Sequence, residues 1–101
     1  MNNENDESAK YVKDCYELLS EMQIIDSKYQ FSMQFLQKSK DYYSILICQK
    51  RKASNDLLYN LNQKMAQLTE CFKDERLKPL LQRGQQILQK RIELLAKRYK
   101  I

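Results

Sequence analysis

Pro79 and Gly84 are the only proline and the only glycine of the chain, and they fall five positions apart in the stretch LKPLLQRG at 77–84. A polypeptide with so few turn formers has little means of reversing tightly, so most of it is expected to be helix and β-structure is not expected. The sequence therefore reads as all-α. The predicted architecture is an elongated helical hairpin or three-helix coiled-coil-like chain with a long N-terminal helix and a kink near Pro79.

Apolar spacing supports that reading. From Val12 the residues at alternating steps of three and four are Val12, Cys15, Leu19, Met22, Asp26, Tyr29, Met33, Leu36, Lys40, Tyr43 and Ile47, and all but Asp26 and Lys40 are apolar. This is the spacing of a helix with one sticky seam. At Asp26 two readings stay open. Ser27 and Gln30 have the S-x-x-Q spacing of a capping box, which would start a new helix there. The unbroken phase of the stripe instead favours one helix over residues 9–50, about 65 Å long at 1.5 Å per residue. A rod of that length predicts an elongated molecule.

A second stripe, Leu58, Leu61, Met65, Leu68 and Phe72, does not continue the phase of the first. Either a stutter in one rod or a loop between antiparallel helices would give this; Ser54-Asn55-Asp56 supplies helix-start residues and Lys50-Arg51-Lys52 suits a helix C-terminus, which favours the loop and a helix over 54–73. Asp74 and Glu75 suit another helix start, while Pro79 lacks the N–H that an interior helical position donates. A break or kink near 73–79 follows, then a helix over 77–101. The domain organisation is a disordered acidic tail at 1–8 and one helical domain at 9–101.

Composition closes off several chemistries. The chain of 101 residues has no histidine, which removes Ser-His and Cys-His couples and Cys2His2 zinc sites, and one glycine is too few for a phosphate-cradling loop. Cys15, Cys48 and Cys71 are odd in number and widely spaced, which fits buried, unpaired thiols in a reducing compartment. The polar, acidic start MNNENDES does not read as a signal peptide, and no uncharged run approaches the roughly 20 residues that cross a bilayer. A cytoplasmic protein with no catalytic residues, metal or cofactor is expected.

The last helix carries the functional expectation. Leu80-Leu81, Ile87-Leu88 and Leu94-Leu95 recur every seven residues, and Leu77, Ile92, Tyr99 and Ile101 widen the apolar arc. An arc this wide can touch two neighbouring helices, and an extended chain does not cover it alone, so partner helices are inferred. On the first seam the candidate partner-binding residues are Tyr29, Met33 and Leu36. On the last helix they are Leu81, Gly84, Leu88, Arg91, Ile92, Leu95, Arg98 and Tyr99. Gly84 lies within the apolar arc, where it either admits another backbone or merely weakens the helix; Arg91 and Arg98 either meet a partner's carboxylates or lay their stems over apolar surface.

Charge divides the chain. Residues 1–72 carry nine Lys/Arg against ten Asp/Glu, net −1, and residues 73–101 carry nine against three, net +6. A basic C-terminal helix suits an acidic protein, an anionic membrane surface or nucleic acid, and the last is the least supported because only Tyr99 could stack on bases.

The segments VKDCYELLSEMQIIDSKYQFSMQFLQKSKDYYSIL at 12–46, LNQKMAQL at 61–68 and LLAKRYKI at 94–101 resemble small coiled-coil subunits of the complex for biogenesis of lysosome-related organelles, its second-subunit family in particular. That resemblance implies a chain without catalytic role in an elongated hetero-oligomer on endosomes and lysosomes, shared with a lysosome-positioning complex. The function expected is a structural subunit of a hetero-oligomeric helical assembly, with homodimerisation and peripheral membrane contact as further options. The alternatives are a binding module or secretion-type chaperone that masks a partner helix, and a nucleic-acid binder acting through the basic last helix.

Overall fold

Ser8, expected in a solvated tail, is buried in the first turn of a helix, where its Oγ accepts a hydrogen bond from the Ala53 N–H at 3.0 Å. That helix, α1 (Glu7–Glu21), opens a computed structural model that describes residues 7–99. Residues 1–6 of the expected tail, and Ile101, lie outside the described residues. After α1 come α2 (Lys28–Gln30), which runs straight into a π-helical turn at Phe31–Phe35, then α3 (Tyr42–Cys48), α4 (Asn55–Cys71) and α5 (Leu77–Tyr99). The described residues form an all-α fold.

The single helix expected over 9–50 is broken twice. α1 ends where Ile24 N–H reaches back to Leu19 O and Gln23 N–H to Ser20 O, both at 3.0 Å, with Gln23 at φ 62°. These are the paired reverse hydrogen bonds of a left-handed C-cap, a position that usually holds glycine. The capping-box option at Asp26 is the one realised: Ser27 Oγ accepts from Gln30 N–H at 3.1 Å, and the Gln30 side chain accepts from Asp26 N–H at 2.6 Å. α3 ends like α1, with Arg51 N–H on Leu46 O, Lys50 N–H on Ile47 O and Lys50 at φ 52°. Gln37, following the π turn, is at φ 57°.

The chain thus makes its left-handed turns with Gln23, Gln37 and Lys50, and spends its one glycine elsewhere. A non-glycine residue pays a steric penalty in that conformation. Gln23→Gly and Lys50→Gly are expected to raise stability by about 0.5–1 kcal/mol each, net of the entropy glycine loses on folding. Urea denaturation checks this, and a lowered midpoint for both would refute it.

Pro79 produces no kink. It is the third residue of α5, within the first turn, where the missing N–H has no intrahelical acceptor. The break lies before it, at 72–76. There Asp74 Oδ1 accepts from Arg76 N–H at 2.9 Å, and the Arg76 guanidinium grips both carboxylate oxygens. Those hydrogen bonds hold the Asp74 carboxyl down at about 2. α4 begins as expected, with Ser54 as its cap accepting from Leu57 N–H at 3.2 Å.

Three helices make the body. α5 runs antiparallel to α1, and their charged rims match: Arg76 Nη1 meets Glu21 Oε1 at 2.8 Å, Arg83 Nη1 meets Asp14 Oδ2 at 2.8 Å, and Lys90 Nζ meets Glu7 Oε2 at 3.9 Å. Each step of seven along α1 is answered by a step of seven back along α5. Exposed pairs contribute little energy each, so this ladder's main effect is to fix register. α4 is also antiparallel to α5, since Asn62 Nδ2 donates to Leu81 O at 3.1 Å and Arg91 Nη1 donates to Asn55 Oδ1 at 2.8 Å. α1 and α4 therefore run parallel and start at the same end.

Val12, Cys15 and Leu19 of α1, Leu58, Leu61 and Met65 of α4, and Leu77, Leu80 and Ile87 of α5 form the buried centre. Phe31 closes one side of it, with ring centroids 5.4 Å from Tyr16, 5.8 Å from Phe35 and 5.2 Å from Tyr43. The buried Ser32 Oγ accepts from Tyr43 N–H at 2.9 Å, tying the π turn to the start of α3. Extents of 44 × 30 × 23 Å replace the rod that an unbroken first helix would have produced. Of the three thiols only Cys15 is buried; Cys48 and Cys71, expected inside, are exposed.

Candidate partner-binding surface

The apolar rows of α5 change environment along its length. In the row Leu80, Ile87, Leu94 the exposed fractions are 8%, 5% and 65%. In the neighbouring row, Leu81 and Leu88 pack against the core while Leu95 is 43% exposed. The helix face stays the same, so what changes is the bundle beneath it. Glu7, the first described residue of α1, lies beside Lys90, and Asn55, which opens α4, lies beside Arg91. α5 continues from Ile92 to Tyr99, about 12 Å further at 1.5 Å per residue.

Four of the nine large apolar side chains exposed among the described residues sit on this overhang: Ile92, Leu94, Leu95 and Tyr99. Where it leaves the bundle there is a groove of about 550 Å³. Lys52 and Asn55, at the start of α4, and Arg91, Leu94, Leu95, Lys97 and Arg98 of α5 line it. Among the described residues four cations and no carboxylate line the groove. Arg91 Nη1 donates to Ala53 O at 2.7 Å and to Asn55 Oδ1, both neutral oxygens, so its charge is held in place without being cancelled.

A family model described as "Family of unknown function (DUF6626)" matches residues 12–99. The chain belongs to that family. The match runs from inside α1 through the overhanging end of α5. No curated protein and no solved structure matches the chain.

Several expected site residues do not face outward. Leu36 is fully buried in the core of this chain, because the turn at Gln23 and the new start at Ser27 swing the second part of the seam round. Gly84 does admit a close approach, but from within: a Cβ there would lie 2.5 Å from Tyr11 Cζ and 2.5 Å from Asn62 Nδ2. Leu81 and Leu88 are mostly taken up by core packing. Arg91 is committed to the loop before α4. Ile92, Leu95, Arg98 and Tyr99 remain on the overhang, with Arg98 lining the groove.

Tyr29 and Met33 are exposed at 51% and 52%, on α2 and its π turn, and Lys40 Nζ sits 5.4 Å from the Tyr29 ring centre. That segment packs chiefly on α3 and α4, apart from the groove. Sequence reasoning missed Lys52, Asn55, Leu94 and Lys97 as groove residues. Leu94 and Lys97 had a signal, since each continues a seven-residue row of α5, whereas Lys52 and Asn55 reach the groove only through tertiary folding.

Among the described residues no helix is long and apolar enough to cross a membrane.

Proposed function

We propose that this protein is a non-catalytic helical subunit that docks a partner protein on the overhanging end of α5. The observation that carries the reading is the abrupt exposure of Leu94 and Leu95 on a helix face that is covered at Leu80, Ile87 and Leu88. Fully burying a leucine is worth about 1.5–3 kcal/mol, so a helix laid on Ile92, Leu94, Leu95 and Tyr99 gains enough to offset part of the entropy of association. The bundle below Arg91 covers its own core, which favours a folded module that accepts a partner over a chain that needs one in order to fold.

The test is a photo-cross-linking amino acid placed at position 95 and, separately, at Tyr59, an exposed site on α4. In cells of the source organism, position 95 is expected to give one discrete heavier adduct that disappears when Leu94→Asp is added. Position 59 is expected to give none. Identical patterns at the two positions, or no adduct at 95, would overturn the proposal. Identification of the adduct also tests the endosomal or lysosomal assembly that the resemblance implies.

A further inference from the structure

We infer that the docked partner is an acidic amphipathic helix of another protein, whose apolar stripe covers Leu94 and Leu95 and whose carboxylates meet the cations around them. This rests on the docking reading above and adds the partner's chemistry. Arg76, in the turn just before α5, and Arg83 and Lys90 on the helix repeat every seven residues and meet Glu21, Asp14 and Glu7. Lys97 is the next member of that basic row and lines the groove. Carboxylates of a docked helix would meet Lys97 as Glu7 meets Lys90.

The groove gives the same answer independently. Lys52, Arg91, Lys97 and Arg98 surround Leu94 and Leu95, so an apolar stripe flanked by carboxylates is complementary to it in both respects. A second copy of this chain meets that surface poorly: its own overhang would bring the same cations against these. A flat bilayer does not fill a concave groove, and nucleic acid would find one aromatic platform, Tyr99, beside two leucines that give it nothing.

The test uses the full chain and two synthetic helices of three heptads, alike in their leucine stripe, one flanked by glutamates and the other by lysines. Fluorescence anisotropy is expected to show the glutamate peptide binding at least about tenfold more tightly than the lysine peptide, with affinity falling as salt is raised. Lys97→Glu with Arg98→Glu is expected to reverse that preference, and Leu94→Ser with Leu95→Ser to abolish binding of both peptides. Equal binding of the two peptides would overturn the acidic partner while leaving apolar docking intact. Binding of neither peptide would overturn both. Tighter association with phosphatidylserine vesicles, with single-stranded DNA or with a second copy in sedimentation would also overturn the inference and name the occupant instead.

Discussion

Gly84→Ala lowers stability by about 2 kcal/mol, equivalent to a fall of about 10 °C in melting temperature, and Gly84→Val by about 4 kcal/mol. The sign is the informative part. A glycine in the middle of a helix normally gains about 1 kcal/mol on replacement by alanine, because alanine loses less backbone entropy. Here an added methyl would press on the Tyr11 ring and hydroxyl and on the Asn62 amide, where α1 and α4 both meet α5. Tyr11 is fully buried and its hydroxyl accepts from Asn62 Nδ2 at 3.3 Å, so the ring has no open space to move into. Overpacking of this kind costs about 1–3 kcal/mol beyond the helix gain. Gln85→Ala, one position along and exposed, serves as the control and should change little. A higher melting temperature for Gly84→Ala would show that the three helices are not packed as described.

Alkaline pH is expected to destabilise the fold from about pH 9. Burial pushes the Cys15 thiol up to about 12 from an ordinary value of 9.0, and it raises the Tyr11 and Tyr43 hydroxyls well above the ordinary 10.0. Desolvation is the main cause in all three, aided at Tyr11 by Cys15 and at Tyr43 by Glu17. Below pH 9 the thiol is neutral whether the chain is folded or not, and its contribution is fully present. Above pH 9 the unfolded chain releases the proton while the fold retains it, so stability falls until the folded thiol itself ionises near pH 12. Linkage gives a loss on the order of 4 kcal/mol from Cys15 over that span, and the tyrosines add to it with the same sign above pH 10. Urea midpoints measured from pH 7 to 11 should decline from about pH 9, and Cys15→Ala should move the onset to about pH 10. A flat profile to pH 11 would mean that these groups are wet in the folded state.

The two predictions concern neighbours, since Tyr11 touches both Gly84 and Cys15, and they bear on what the sequence made legible. The C-terminal half was readable because its punctuation is local: Ser54 caps α4, Asp74 stands before α5, and Pro79 fits only the first turn. The N-terminal half was not. Its break at Gln23 carries neither glycine nor proline, and the apolar phase passes through it undisturbed, so the capping box at Ser27 was the one trace of a new helix. The candidate site divides in the same way. Ile92, Leu95, Arg98 and Tyr99 could be read from the width of the arc, because α5 is one continuous helix. Leu36 and Gly84 were misassigned because periodicity identifies a sticky face without saying whether the chain's own helices already cover it. The rim ladder had been visible as Glu7, Asp14 and Glu21 against Arg76, Arg83 and Lys90, but two charge rows acquire meaning only when their helices are known to be antiparallel.

The parallel course of α1 and α4 has a practical corollary. Because α5 returns antiparallel to α1, whatever is joined ahead of Glu7 or behind Tyr99 emerges at one pole of the molecule, the pole that holds Lys52, Leu94 and Arg98. A fluorescent protein or purification handle fused at either extremity would therefore crowd the groove and mimic a loss of binding. The opposite pole, where Phe72 to Arg76 link α4 to α5, is the place for a reporter that leaves docking undisturbed.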